Sequence, residues 1–299
     1  MYKKILIIGR GSAGQNHFGA LKSINKKVNI TLVSSRNFIK IFKKKNYEKL
    51  RKMNPDLFII CSPANTHFKF INLIERCFIK KNVLIEKPLF SKREKNVGNL
   101  KNNYYVGYNL RFHPILQFIK NYIKGKNYFF IRVICSSFLP DWRKKKKYTG
   151  TVSAKKKFGG GVKLELSHEI DYLKWIFGKF KIISSFNKKI SNLKINVDDV
   201  LCVHGILKNK IFLNLDLNFF SRIKNRKIFI DGNNFSLEAD LLLNTIKIIN
   251  KNKKITIFKR FNLKQTYIKE HLDILKKKQF ICTFKEALEN QKILEAIKS

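Results

Sequence analysis

Short apolar runs and longer amphipathic segments alternate along the first third of the chain. The runs are rich in β-branched residues and end at glycine, proline or other turn residues, as buried parallel strands do. The pattern predicts strands at residues 5–8, 28–33, 56–61, 82–85 and 104–107, and helices near 14–24, 38–53 and 66–80. Because strands alternate with helices, we expect right-handed βαβ units on a parallel sheet covered on both faces.

The order of elements changes after residue 109. The pattern predicts helices at 114–122, 164–177 and 284–297, a strand at 129–136, an irregular basic stretch at 138–158 and several strands between 182 and 237. A helix followed by strands indicates an α+β domain with a large, mostly antiparallel open sheet. We therefore predict two domains, at residues 1–108 and 109–299.

Composition adds a large positive charge to this picture. The 299 residues include 63 Lys and Arg against 20 Asp and Glu, a net charge of +43. Such a charge suggests nucleic acid or an anionic surface. Lys, Asn, Ile and Phe all have AT-rich codons, however, so a biased genome is an alternative explanation. The 44% hydrophobic content excludes a disordered polybasic chain.

Cysteine usage and hydropathy narrow the possible class of protein further. The chain has 5 scattered cysteines and no CxxC pair, which argues against a disulfide framework and a zinc site. We predict no metal site and a cytoplasmic location. No apolar run approaches the length of a membrane span, and the first one is too short for a signal peptide.

A glycine-rich turn follows the first predicted strand. Gly9, Gly11 and Gly14 form GxGxxG and open a helix, with Ser12 and Ala13 between them. This pattern permits a tight turn, close approach of a pyrophosphate and close packing of helix on strand. In its strand–turn–helix context the motif predicts a Rossmann dinucleotide-binding domain.

The end of the second strand bears on the choice of cofactor. An NAD site usually has a carboxylate there for the ribose 2′-hydroxyl. Ser34, Ser35 and Arg36 stand there instead, and no carboxylate occurs before Glu48. Hydroxyls and a guanidinium suit a 2′-phosphate, so we favour NADP, with NAD also open. The alternative is that Arg36 is a solvated loop cation.

Several motifs together make the sequence resemble the Gfo/Idh/MocA oxidoreductase family, in the order in which the family carries them. They are the GxGxxG with His17, the Glu86-Lys87-Pro88 tripeptide, the segment from Gly107 to Pro114 that resembles the link between two domains, and Gly159-Gly160-Gly161 followed by His168 and Asp171. Residues 141–143, 148 and 153–154 are similar to a subgroup associated with surface-polysaccharide sugar metabolism.

The resemblance implies catalytic roles. Lys87 would stand near the reacting oxygen, where an ammonium steadies an alkoxide, and the Lys87–Pro88 bond is often cis in the family. His168 would relay the proton. Relatives commonly carry an aspartate where this chain has Leu164, so Glu165 is the candidate substitute, on the same face of a regular helix. Asp171 is a candidate to orient His168.

The resemblance also implies binding residues. Those for the substrate, besides Lys87 and His168, are Asn109, Arg111, Asp141, Arg143 and Tyr148. Those for the cofactor, besides Lys87 and the residues named above, are Ser62, Pro63, Asn65, His67 and Glu86. Pro63, Asn65 and His67 resemble a loop that lines the nicotinamide side. For Arg111 an interdomain salt bridge is the alternative role, and for His67 it is helix capping or packing.

The sequence thus predicts an NAD(P)-dependent oxidoreductase that acts on a CH–OH group of a sugar, sugar nucleotide or cyclitol. A dinucleotide-binding sensor without catalysis is the alternative suggested by Leu164, and a polyanion-binding protein is a further one. We expect a small-molecule substrate, no specific nucleic acid, no membrane span and a homodimer or homotetramer.

Overall fold

The structure is a computed structural model that describes residues 2–36, 38, 47–92, 94, 97–143, 146–251, 253–276 and 278–298. It divides into two compact units. Unit 1 consists of Met1–Phe112 and Asn262–Gln291, and unit 2 of His113–Phe261 and Lys292–Ser299. The segment 262–291 therefore packs in unit 1, and the division into domains at residue 108 stays a prediction.

Unit 1 contains a six-stranded sheet. The strands are β1 (Lys4–Ile8), β2 (Asn29–Val33), β3 (Leu57–Ile60), β4 (Asn82–Glu86), β5 (Asn103–Gly107) and β14 (Cys282–Thr283). They lie in the order β14-β5-β4-β3-β1-β2, and all neighbours are parallel except β14, which runs antiparallel to β5. The predicted parallel sheet is confirmed.

Both faces of this sheet are covered, which explains the continuous apolar runs of its strands. Leu6 and Ile8 belong to one buried cluster, and Ile5 and Ile7 belong to the other. The helices of unit 1 are α1 (Ser12–Ile24), α2 (Tyr47–Met53), α3 (His67–Cys77), α7 (Lys264–Leu275) and the first part of α8 (Phe284–Ala296). In the predicted helix at 38–53, residues 39–46 lie outside the described residues.

Unit 2 contains an eight-stranded sheet. The strands are β6 (Tyr128–Ser136), β7 (Phe180–Lys188), β8 (Val200–Leu207), β9 (Phe212–Asn218), β10 (Asn225–Gly232), β11 (Phe235–Asp240), β12 (Thr245–Asn250) and β13 (Lys253–Phe258). They lie in the order β13-β12-β11-β10-β6-β9-β8-β7. Only the β6–β9 pair is parallel among the described strands, so the mostly antiparallel sheet is confirmed.

Two helical regions of unit 2 precede most of its strands. They are α4 (Pro114–Tyr122) and the pair α5 (Val162–Glu165) and α6 (Ser167–Phe177). The single helix predicted at 164–177 is wrong, because Leu166 leaves the helical region with φ −96° and ψ 27°. The sequence pattern also missed β12, β13 and α7. Among the described residues no helix is both long and apolar enough to cross a bilayer.

Candidate active site

Packing alone requires two of the three glycines in the turn between β1 and α1. Gly9 has φ +127°, and a Cβ atom there would overlap the backbone carbonyl of Cys61. A Cβ atom on Gly14 would overlap the carbonyl oxygen of Gly9. The turn is tied to the sheet because the Gly9 N–H donates to the Val33 carbonyl at 2.8 Å. These two glycines therefore let strand, turn and helix pack closely.

Gly11 is different, because the fold gives no packing reason for it. Its φ is −71°, which any residue can adopt, and no described atom lies within 4 Å of the position that a Cβ would occupy. It is the N-cap of α1 and has no side chain with which to cap the helix. The space beside Gly11 is thus open at a helix N-terminus, and the first N–H groups of a helix favour anions such as a pyrophosphate.

Two arginines flank the end of β2, next to this turn. Arg36 is exposed and follows the half-buried Ser34 and Ser35. Arg10, inside the glycine motif, donates from Nε to the Leu32 carbonyl at 3.2 Å, which fixes its guanidinium beside the strand. Sequence analysis missed Arg10. The signal was a cation at the variable position between Gly9 and Gly11.

Glu86, at the end of β4, lies between His17 of α1 and its own neighbour Lys87. Its Oε1 lies 2.9 Å from His17 Nε2, and its Oε2 accepts the Lys87 backbone N–H at 3.1 Å. Burial acts to raise the pKa of Glu86, but His17 and Lys87 outweigh it and the pKa is lowered. The carboxylate is therefore ionised. The Lys87–Pro88 bond is cis, as the resemblance implied.

His67, at the start of α3, ties the loop after β3 to the segment after β4. His67 is buried, with Nδ1 at 2.9 Å from the Leu89 carbonyl and Nε2 at 2.8 Å from the Ser62 carbonyl. This geometry corresponds to the packing role that was left open for His67. Pro63 is half-buried, and Asn65 is exposed. Their contact with a nicotinamide stays a prediction.

The link after β5 is buried inside unit 1. Asn109 donates from Nδ2 to Thr266 Oγ1 on α7 at 2.9 Å. Arg111 is 1% exposed and donates to Glu286 Oε1 on α8 at 3.0 Å. Arg111 thus forms a salt bridge, but with a carboxylate of its own unit and not the interdomain bridge of its alternative role. Substrate contacts of Asn109 and Arg111 stay predictions.

Packing explains the three glycines that precede α5 in unit 2. Gly159 and Gly161 have φ of +80° and +108°. A Cβ atom on Gly160 would overlap the carbonyls of Val152 and Ser153, and one on Gly161 would overlap the Asp198 carboxylate. That carboxylate accepts the Lys163 N–H at 2.8 Å, near the start of α5. The glycines therefore fix where the helix that carries Glu165 begins.

The predicted acid–base residues of unit 2 lie on both sides of the break at Leu166. Glu165 ends α5 and accepts from Ser153 Oγ at 2.9 Å. His168 is half-buried in the first turn of α6, and Asp171 is buried one turn later. Because the helix is interrupted, the expectation that Glu165 and His168 share a regular helical face is wrong. Their catalytic roles stay predictions.

The remaining substrate candidates lie in the stretch between β6 and α5. Asp141 and Arg143 are exposed in a short 3₁₀ turn at Leu139–Arg143. Tyr148 is half-buried, and its hydroxyl oxygen accepts the Lys194 N–H at 3.0 Å. That bond ties Tyr148 to the loop between β7 and β8.

Sequence analysis also missed a buried polar cluster in unit 1. His271, Glu270 and Tyr267 of α7 surround His17 and Glu86, and His271 Nε2 lies 2.9 Å from His17 Nδ1. No local signal marks these residues, because α7 lies far from both partners in the sequence. The residues of α7 stand in a segment for which the pattern predicted no element.

The N-terminal part of the chain is similar to a known family. Residues 3–101 match the family model of the Gfo/Idh/MocA oxidoreductases, described as an oxidoreductase family with an NAD-binding Rossmann fold. Glucose-6-phosphate 3-dehydrogenase of Bacillus subtilis (strain 168) is 27% identical over 235 residues, covering 71% of this chain and 67% of the relative.

Solved structures share the fold across the chain. A UDP-N-acetylglucosamine 3-dehydrogenase from Acidithiobacillus ferrooxidans has a TM-score of 0.74 at 14% identity, over 98% of this chain and 96% of its own. A levoglucosan dehydrogenase in complex with NADH and levoglucosan has a TM-score of 0.77 at 14% identity, over 98% and 95%. The N-terminal part, residues 3–101, which contains the glycine-rich turn and the Glu86-Lys87-Pro88 segment, thus matches the Gfo/Idh/MocA family of oxidoreductases, and the solved structures share the fold of the chain as a whole.

Proposed function

We propose that this protein is an NAD(P)-dependent dehydrogenase or reductase that acts on a secondary alcohol or ketone of a sugar or sugar nucleotide. The observation that carries the proposal is Gly11. The fold has no packing need for a glycine at this position, whereas a dinucleotide pyrophosphate does need one there. A bound nicotinamide cofactor would supply or accept the hydride.

Lys87 is the proposed catalytic cation. Oxidation of an alcohol places developing negative charge on the hydroxyl oxygen, and a positioned ammonium stabilises that charge. Support comes from its place directly after Glu86, whose ionised carboxylate holds the Lys87 backbone N–H at 3.1 Å. The lysine backbone is thereby fixed at the end of the parallel sheet, where ligands of such sheets bind.

His168 is the proposed proton relay of unit 2. An imidazole exchanges protons near neutral pH, which suits the transfer of the hydroxyl proton. Its partial exposure in the first turn of α6 supports this role, because a fully buried histidine could not reach a substrate. We assign Glu165 to orienting this region through Ser153 rather than to proton transfer.

We propose NADP as the preferred cofactor. Arg36 and Arg10 supply two guanidinium groups near the end of β2, and the residues 33–36 contain no carboxylate. A 2′-phosphate gains charge-assisted hydrogen bonds from such groups. The levoglucosan dehydrogenase structure contains NADH, so both cofactors belong in the test.

The activities of two similar proteins favour a sugar-like substrate. One relative acts on glucose 6-phosphate and one on UDP-N-acetylglucosamine, both as 3-dehydrogenases. We therefore propose oxidation at a ring hydroxyl of a phosphorylated or nucleotide-linked sugar. Asp141, Arg143 and Tyr148 are the candidate contacts in unit 2.

The test combines binding and turnover. Purified protein is titrated with NADPH and NADH by fluorescence, and a panel of sugar phosphates and sugar nucleotides is then assayed with each oxidised cofactor. We expect binding and turnover, with Lys87→Met lowering kcat by about 10²–10⁴-fold while cofactor binding persists. Full activity of Lys87→Met would remove Lys87 from the mechanism.

Leu164 favours a second candidate function, a sensor that binds the dinucleotide without turnover, because relatives commonly carry an aspartate at this position. Cofactor binding with no turnover across the whole panel would support it, and any turnover that requires Lys87 would exclude it.

We also propose a homodimer or homotetramer, supported by exposed apolar side chains in unit 2 such as Phe129, Phe212 and Phe258. Light scattering measures the mass directly.

A further inference from the structure

We propose that His17 is a positioning residue, which orients Glu86 and through it Lys87, and so connects the cofactor-binding turn to the catalytic lysine. The inference rests on the proposed function for the role of Lys87. His17 lies on the second turn of α1, just after the glycine motif, and Lys87 follows β4.

Three hydrogen bonds in series carry the inference. His271 Nε2 lies 2.9 Å from His17 Nδ1, and His17 Nε2 lies 2.9 Å from Glu86 Oε1. Glu86 Oε2 then accepts the Lys87 backbone N–H at 3.1 Å. The two histidines are fully buried, whereas Glu86 is 12% exposed. The chain of bonds therefore begins in the core and ends at the lysine.

The directions of these bonds follow from the atoms present. The carboxylate of Glu86 only accepts, so His17 Nε2 must donate to it. We assign the bond between the two rings to an Nε2–H of His271 and an accepting Nδ1 of His17, so that each ring carries its N–H on Nε2.

The buried end of the series agrees with this assignment. His271 Nδ1 has no hydrogen-bond partner among the described residues, as expected for an acceptor that meets no donor. Burial holds the pKa of His271 well below its usual range, so the ring is neutral. Tyr267 packs edge-on against His17, with ring centroids 4.9 Å apart, and restricts its rotation.

Without His17 the Glu86 side chain would lose the hydrogen bond that holds its Oε1. One of its carboxylate oxygens would lose its donor inside the protein, and the side chain would be free to turn away from Lys87. The inference therefore predicts a loss in the chemical step rather than in cofactor affinity, since His17 is fully buried whereas the proposed pyrophosphate site lies at the exposed Gly11.

Two variants of His17 test the proposal. His17→Phe keeps a ring but removes the donor, and His17→Gln keeps an amide N–H within reach of Glu86. We expect His17→Phe to lower kcat about 10–100-fold with NADPH affinity near that of the wild type, and His17→Gln to recover most of kcat. Asn102→Ala is the matched control, because Asn102 is also buried in unit 1 and its hydrogen bonds to Glu75, Phe78 and Lys81 involve no candidate site residue.

The control separates positioning from folding. Asn102→Ala should lower thermal stability and leave kcat unchanged. Unchanged kcat in His17→Phe would overturn the proposal, as would equal losses in His17→Phe and His17→Gln. A wild type without turnover would count against the proposed function. Nitrogen NMR then tests the hydrogen bonds of His17 without any assay of activity.

Nitrogen NMR of the wild type needs neither a variant nor a substrate. The chain has 6 histidines, so ¹⁵N-histidine labelling gives a small set of signals. We expect two buried, neutral Nε2–H rings assigned to His17 and His271. A neutral Nδ1–H tautomer at His17 would place a lone pair against the Glu86 carboxylate and would overturn the arrangement.

Discussion

Gly9 and Cys61 pack so closely that no side chain fits between their backbones. A Cβ atom on Gly9 would overlap the Cys61 carbonyl group, whereas one on Gly11, in the same turn, would meet no described atom within 4 Å. Two glycines of one motif are thus present for different reasons. Gly9 serves the fold, and we assign Gly11 to the cofactor.

This difference predicts opposite outcomes for two alanine variants. Gly11→Ala should fold with a change in stability within about 1 kcal/mol, the range of N-cap substitutions. Because the new methyl group occupies the pyrophosphate site, NADPH affinity should fall by roughly tenfold or more. Fluorescence titration and thermal unfolding measure the two effects.

Gly9→Ala is the matched control in the same turn. It combines the overlap with Cys61 and a φ of +127°, so it should yield little folded protein. A stable Gly9→Ala protein, or a Gly11→Ala protein with wild-type affinity, would contradict the division of roles.

Arg36 should determine the preference for NADP. A guanidinium contact to the 2′-phosphate contributes about 1.5–3 kcal/mol, so Arg36→Ala should weaken NADPH binding about ten- to hundredfold and leave NADH binding nearly unchanged. Arg10→Ala should act in the same direction. Equal losses for both cofactors would show that Arg36 does not recognise the phosphate.

Glu286 should stabilise unit 1 through Arg111. It accepts from Arg111 at 3.0 Å and from the Thr283 N–H and hydroxyl at 2.9 and 2.8 Å, which makes Thr283 and Glu286 a capping box for α8. Glu286→Gln removes the charge that faces the buried guanidinium. We expect a loss of about 1.5–3 kcal/mol at neutral pH, measured by urea unfolding.

The same pair predicts a pH dependence. Burial acts to raise the pKa of Glu286, but Arg111 and the Thr283 hydrogen bonds outweigh it, and the pKa is lowered. A group with a lowered folded pKa stabilises the protein above its unfolded value, about 4.3, and loses that contribution as the pH falls through the folded value. Wild type and Glu286→Gln should therefore converge in strongly acidic solution, and a constant difference would exclude this origin.

Gly161 should control the region of His168. With φ +108° and the Asp198 carboxylate against its α-carbon, Gly161→Ala adds strain of about 1–3 kcal/mol and displaces Asp198 from the start of α5. We expect a lower melting temperature and a lower kcat with unchanged NADPH affinity. Gly150→Ala, at an open position of the same unit, should change neither the melting temperature nor kcat.

Local signals were sufficient for much of unit 1. Apolar runs such as Ile5–Ile8 are buried on both faces of a parallel sheet, so their strands could be predicted without knowledge of their neighbours. The glycine turn and the Glu86-Lys87-Pro88 segment were found for a similar reason, because each is a short contiguous motif.

Contacts that join distant segments could not be predicted in this way. His271 bonds to His17 across 254 positions, and Arg111 bonds to Glu286 across 175. Neither pairing leaves a periodic trace in the sequence. The same cause explains the error at Leu166, where the chain interrupts a helix that local periodicity predicts to be continuous.

The position of segment Asn262–Gln291 in unit 1 has a consequence for biosynthesis. Met1–Phe112 leaves the ribosome first, but β14, α7 and the start of α8 are synthesised only after His113–Phe261. Domains generally fold as units while the chain is being made. During translation the nascent parallel sheet therefore has an unpaired edge at β5 and an uncovered His17, and unit 1 is completed only after His113–Phe261 has been synthesised.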